Sequence, residues 1–111
     1  MARAATTTDA FNAVAEPRRR EILDLLATGE RTVTDLVEAL DVAQPQVSKH
    51  LKVLREVGLV HVREDGRHRY YRVEAGALRP IHDWVQAYAA LWQDRLDALD
   101  DILTDLKQQE Q

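Results

Sequence analysis

The side chains in this sequence that can do chemistry are mostly ones that bind rather than react. Gln44, Gln46, Ser48, Lys49, His50, Lys52 and Arg55 fall within one short stretch, and Arg67, His68 and Arg69 follow soon after. Glutamine can pair bidentately with adenine in the major groove. Serine and histidine can bond a phosphate or a base edge, and lysine and arginine neutralise phosphate. Reactive sets are absent by comparison. With no cysteine anywhere, disulfides, thiolate metal sites and thiol redox chemistry are all excluded. There is no Ser-His-Asp order, metal-ligand set, phosphate-cradling glycine loop or paired-carboxylate pocket, and His82-Asp83 is an isolated pair on a helix. No catalytic residue, metal ligand or cofactor is assigned, and the expectation is a protein that is not an enzyme.

Binding a polyanion sits awkwardly with a net charge of −4, so the distribution of charge decides. From Gln44 to Arg72 the cations are Lys49, Lys52, Arg55, Arg63, Arg67, Arg69 and Arg72, against Glu56, Glu64 and Asp65. From Gly76 onward the balance reverses, with Asp83, Asp94, Asp97, Asp100, Asp101, Asp105 and Glu110 facing only Arg79, Arg95 and Lys107. Charges are screened beyond about 8 Å at physiological salt, so a basic middle can hold phosphate beside an acidic tail. Segregation alone does not exclude arginines that are merely solvated.

The elements that would position these residues follow from periodicity. A chain of 111 residues, 45% apolar and 31% charged, is one soluble globular domain by length and composition. No apolar run reaches the roughly 20 residues of a membrane span, and Met1 to Asp9 lacks the apolar core of a signal peptide, so a cytoplasmic protein is expected. Thr6, Thr7, Thr8 and Asp9 offer helix caps before a short segment, Ala10 to Ala15, with Phe11, Val14 and Ala15 on one side. Pro17 suits a first helical turn. Ile22, Leu25 and Leu26 continue at helical spacing, and Gly29 closes the helix as the residue after its C-cap. Arg18, Arg19 and Arg20 oppose the dipole at that helix start and read as a solvated face from which one of them reaches phosphate.

Thr32 and Asp35 form a variant capping box ahead of Val33, Leu36, Val37 and Leu40. After a short link, Gln44 to Val57 carries Val47, Leu51 and Leu54 as one buried stripe, leaving Gln44, Gln46, Lys49, Lys52 and Arg55 outside. Two short helices over 33–57, the second with a polar and basic outer face, make a helix-turn-helix pattern. The period then turns to alternation over 59–73, two β-rich runs either side of Asp65-Gly66-Arg67. A basic hairpin placed there is a wing, with Arg67, His68 and Arg69 toward DNA backbone or minor groove. Of Tyr70 and Tyr71, one belongs to the core and the other to the surface.

A long helix over 78–106 ends the chain, with 107–111 frayed. Ile81, Val85, Tyr88, Trp92, Leu99, Ile102 and Leu106 keep a heptad spacing broken once by Arg95, and Trp84 widens the stripe. So much apolar surface calls for a partner helix, most simply a second copy of the chain. Phe11, Ile81, Trp84, Val85, Tyr88, Trp92 and Leu99 are the expected dimerisation residues, on helices 10–15 and 78–106. The fold class is mainly α with a two-stranded wing, α-α-α-α-β-β-α, a winged helix-turn-helix with a long dimerisation helix.

Three stretches carry a family resemblance: 15–23 (AEPRRREIL), 47–60 (VSKHLKVLREVGLV) and 66–73 (GRHRYYRV). Together they resemble the ArsR/SmtB family of winged-helix repressors; the second followed by the wing is the more specific part. The resemblance implies a dimer on an inverted-repeat operator, repressing the adjacent genes, and a metal as inducer in many members. It also implies that Thr32 and Thr34 stand where the family's arsenic and cadmium box has cysteines, and a hydroxyl does not replace a thiolate for a soft metal. The aspartate and histidine zinc sites of other members have only His82 and Asp83 here, adjacent and expected to point about 100° apart. Metal sensing through the usual family sites is therefore not expected.

Each of these side chains also has an ordinary structural role open to it. Gln44 and Gln46 can be ordinary exposed polar residues, Arg55 can pair with Glu56 or the wing, and His50 can be a packing histidine that tethers two helices. Trp84 and Trp92 are dimer core ahead of a cage for an unknown small organic effector. The competing function is a winged-helix module that regulates a protein partner without touching DNA, but such a module has no reason to keep a basic face and wing.

Overall fold

The computed structural model of the protein describes residues 9–110. The caps Thr6, Thr7 and Thr8 lie outside the described residues. The elements run α1 (Ala10–Val14), α2 (Pro17–Leu26), α3 (Val33–Leu40), α4 (Gln44–Glu56), β1 (Val60–Asp65), β2 (His68–Val73), a 3-10 turn (Ala75–Leu78) and α5 (Arg79–Gln109). The chain divides into two units, one running to Arg79 and the other from Pro80.

In the first unit each helix begins where its cap chemistry allows. The Asp9 carboxylate accepts from the Asn12 amide at 2.8 Å and opens α1. Pro17 is the first residue of α2, where a missing amide costs nothing. At α3 the capping box closes both ways: the Asp35 amide donates to Thr32 Oγ1 at 3.1 Å, and the Thr32 amide donates to the Asp35 carboxylate at 3.0 Å. The Thr32 amide first, and the Thr32 side chain second, hold the Asp35 carboxyl below its ordinary pKa. Asp41, at φ 54, is the C-cap of α3 and turns the chain toward α4. Aspartate is among the few residues that accept this left-handed conformation.

The core consists of Ala10, Ala13, Ile22, Leu23, Leu26, Leu36, Val47, Leu51, Leu54, Leu59, Val60 and Tyr71. Only the face expected on α2 is corrected. On α1 the buried residues are Ala10 and Ala13, while Phe11 is 42% exposed, because two small side chains let the short helix lie close. On α2 it is Leu23 that is buried, with Leu25 only half-buried. The end of α2 also differs: Ala27 is the C-cap, and Gly29, at φ 145, comes two residues later.

The hairpin pairs Val60 with Val73 through to Asp65 with His68, leaving Gly66 and Arg67 as a two-residue loop. Asp65 thus belongs to the strand, and Gly66 alone supplies the positive φ, at 63. A tight hairpin loop takes glycine at its first position for this reason. Arg31 pairs with Tyr71 through Arg31 N–H to Tyr71 O at 3.1 Å and Tyr71 N–H to Arg31 O at 2.8 Å. That bridge sews the α2–α3 loop to the wing. Tyr71 is the core tyrosine and Tyr70 is half-buried.

The second unit is α5. It starts one residue later than expected and runs to Gln109, so the last turn is helix where fraying was expected. At about 1.5 Å per residue it spans roughly 46 Å. No residue on it is buried; Trp84, Leu91, Trp92, Leu96, Leu99 and Ile102 are each more than half exposed. Trp84 and Tyr88 meet edge to face, with ring centroids 5.6 Å apart.

Candidate nucleic-acid interface

Helix α4 presents its two faces as its apolar spacing requires. Val47, Leu51 and Leu54 are buried, while Gln44, Gln46, Ser48, Lys49, Lys52 and Arg55 are exposed or half-exposed. Lys49, Lys52 and Arg55 make no ion pair among the described residues, so the expected alternative for Arg55, a pairing with Glu56 or the wing, does not occur. Three cations left without anionic partners on one helix are available to phosphate oxygens.

The wing carries the same chemistry on a braced frame. Arg67 and His68 are exposed at its tip, with Arg67 unpaired among the described residues. Arg69 sits 3.8 Å from Glu64 across the strands, an exposed contact of little energetic weight. Arg63 does the bracing. Its guanidinium donates to both Glu30 carboxylate oxygens, at 2.9 and 3.3 Å, and lies 4.8 Å over the Tyr70 ring. The hydrogen bond from Arg63 is the main reason the Glu30 carboxyl titrates below its ordinary value. Between the start of α3 and the wing lies an open cleft of about 520 Å³, lined by Thr32 to Asp35 and Arg67 to Tyr70.

His50 is half-buried and lies between its two expected roles. Its Nδ1 is 3.5 Å from Arg19 Nη1 on α2, so it does tether two helices. Burial first, and the Arg19 charge second, hold its pKa below the ordinary value, which favours the neutral ring.

The arginine run is more than a solvated face. Arg18 pairs with Glu21 at 2.8 Å. Arg19 donates to the carbonyls of Ala13 at 2.7 Å and Asn12 at 3.3 Å, and Arg20 to that of Val14 at 2.6 Å. These carbonyls lie in the last turn of α1, where guanidinium groups are favoured. Counting charges along α2 missed this because the partner is the neighbouring helix end; the five-residue length of α1, too short to satisfy its own carbonyls, was the available signal.

The expected metal positions hold different chemistry in the two places. Thr32 Oγ1 is committed to the Asp35 amide, and hydroxyls are poor ligands for soft ions. His82 Nδ1 does reach its neighbour, 3.3 Å from Asp83 Oδ1, contrary to the divergence expected of adjacent helical residues, and its Nε2 lies 3.4 Å from Gln86 Nε2. Among the described residues no three His, Cys, Asp or Glu side chains gather as a metal-holding group, and no helix is long and apolar enough to cross a membrane.

A helix-turn-helix followed by a basic, braced hairpin defines a winged-helix DNA-binding protein. Residues 16–62 match the bacterial regulatory protein, arsR family, pattern. Over 75 residues the chain is 32% identical to the transcriptional repressor SdpR of Bacillus subtilis, covering 68% of this chain and 83% of that protein. Over 95 residues it is 39% identical to a probable mercury resistance operon repressor of Streptomyces lividans, covering 86% of this chain and 74% of that one. Among solved structures, a possible transcriptional regulator for arsenical resistance superposes with a TM-score of 0.67 at 39% identity, over 81% of this chain and 94% of that chain. An ArsR-like regulator from Rhodococcus sp. RHA1 gives the same TM-score, 0.67, at 29% identity, over 86% and 87%. The chain belongs to the ArsR family: it is a winged-helix transcriptional regulator that binds double-stranded DNA, and not an enzyme.

Proposed function

We propose that the protein is a cytoplasmic, homodimeric repressor that reads an inverted-repeat operator through α4 and grips the flanking backbone with its wing. The observation that carries this reading is the outer face of α4, where Gln44, Gln46 and Ser48 stand beside the unpaired cations Lys49, Lys52 and Arg55. In this reading Gln44 and Gln46 face base edges, Ser48 and His50 bond a base edge or phosphate, and the cations hold phosphate. Arg67, His68 and Arg69 reach backbone or minor groove from the wing.

In this reading the second copy of the chain packs along α5. Its apolar stripe through Ile81, Trp84, Val85, Tyr88, Trp92 and Leu99 suits a self-complementary helix pair, and Phe11 on α1 offers apolar surface of the same kind. Residues 1–111 then act as a single regulatory domain in the dimer. Relatives named for mercury and arsenical resistance support repression, but a chain without cysteine has no thiolate with which to sense those ions. Any unknown small organic effector belongs between the aromatic residues of α5.

Selection of bound duplexes from a random library, near physiological salt, tests this reading. An enriched inverted repeat with half-sites about one helical turn apart is expected. Retention lost with salt but without enrichment would reduce the protein to a non-specific binder. No retention even at low salt would put a protein partner in place of DNA.

A further inference from the structure

Arg19 has three commitments that together fix its position. Its Nε donates to Ala13 O at 2.7 Å and its Nη2 to Asn12 O at 3.3 Å, which clamps the planar fork on the end of α1. The remaining Nη1 lies 3.5 Å from His50 Nδ1, in the middle of α4. Guanidinium has donors and no acceptor, so at this contact the imidazole nitrogen must be the acceptor. A neutral imidazole whose Nδ1 accepts carries its proton on Nε2. Among the described residues Nε2 of His50 has no partner. Charges felt by the ring are those of Arg19 and Arg18 on α2, Glu16 at its N-cap and Lys49 on α4 itself; the three cations outnumber the one anion and oppose a second proton.

We infer that Arg19 is a positioning residue for DNA recognition: held on the end of α1, it locks His50 into the tautomer whose Nε2–H is available to donate to DNA. The inference rests on the reading of α4 as the recognition helix, and it adds a residue that touches no DNA itself. Without Arg19 the ring would exchange its proton between nitrogens, and some of its states would offer DNA an acceptor where a phosphate or base acceptor requires a donor. The same contact links α1 to α4, so movement of α1 would be felt at the donor.

Two measurements on the full chain separate this role from a merely structural one. Nitrogen-15 chemical shifts of the histidine rings in the free protein report the tautomer, and H50Q identifies the His50 signal among the four histidines. The expected result is a single Nε2–H form in the wild type and a mixture in R19Q, with R19K intermediate. Binding to the selected duplex is then measured for wild type, R19Q, H50Q and the double variant. The glutamine amide nitrogen takes roughly the place of Nε2 and needs no tautomer. R19Q is therefore expected to weaken binding about tenfold beside His50, the scale of one hydrogen bond to a charged group. In the H50Q background the same substitution should change binding by less than about twofold, since the coupling it tests is gone.

A proton found on Nδ1, a tautomer unchanged in R19Q, or an equal cost of R19Q in both backgrounds would overturn the inference and leave Arg19 as a cap of α1. A locked tautomer in a protein that retains no duplex would instead overturn the recognition-helix reading on which it rests.

Discussion

Lys52 and Gln46 stand on the same exposed surface of α4, yet they should fail differently when removed. Lys52→Ala or Arg67→Ala deletes a phosphate contact in each half-site of the dimer, so binding should weaken for every sequence and the salt slope should fall by about 2. Gln46→Ala should cost about 1–3 kcal/mol per half-site on the selected site and leave non-specific binding unchanged. Anisotropy titrations at several salt concentrations, on cognate and scrambled duplexes, distinguish the two. Acid sensitivity also belongs to this scale. Glu30 and Asp35 have folded-state pKa values below the ordinary carboxylate values, so their contribution is present above those values and is lost as pH falls through the lowered ones. E30Q and D35N should each flatten the loss of stability in urea melts taken downward from about pH 4.5. Curves parallel to wild type would mean these contacts are not kept in solution.

For the elements, periodicity and caps were enough to place α2, α3, α4 and both strands to within a turn or less. Thr32 and Asp35 form the capping box that their spacing implied, and Val47, Leu51 and Leu54 are the buried stripe of α4. Leu54, like Leu36, is fully buried in the core that holds the helix-turn-helix, and removing its side chain should leave a cavity. Leu54→Ala should lower unfolding free energy by about 2–5 kcal/mol in denaturant titration. A cost below about 1 kcal/mol would show that this core can collapse around the gap. On α1 the core takes Ala10 and Ala13 and leaves Phe11, a residue expected at the dimer contact, exposed.

At the scale of the whole molecule, α5 exposes a stripe that a lone chain would have to leave in water. Leu99→Glu puts a charge in that stripe without touching the DNA-facing residues. Sedimentation should show the wild type as a dimer and the variant as a monomer. Affinity for the inverted repeat should fall toward that for a single half-site, while helix content by circular dichroism stays high. An L99E variant that remains dimeric would move the dimer contact off α5.

Features that depend on near neighbours along the chain could be read from residue order alone. Helical and alternating periods, caps, the glycine of the hairpin loop and the motifs of the ArsR family are all written at spacings of a few residues. They sufficed for the fold class and the basic face of α4. Pairings between residues far apart came from the packed fold instead: Arg19 with His50 and the end of α1, Arg63 with Glu30, Arg31 with Tyr71. A guanidinium at the start of α2 reads as an unfavourable charge until the orphan carbonyls of another helix are brought to 2.7 Å from Arg19 and 2.6 Å from Arg20. Such contacts depend on how separate elements pack against one another, and no local spacing encodes that.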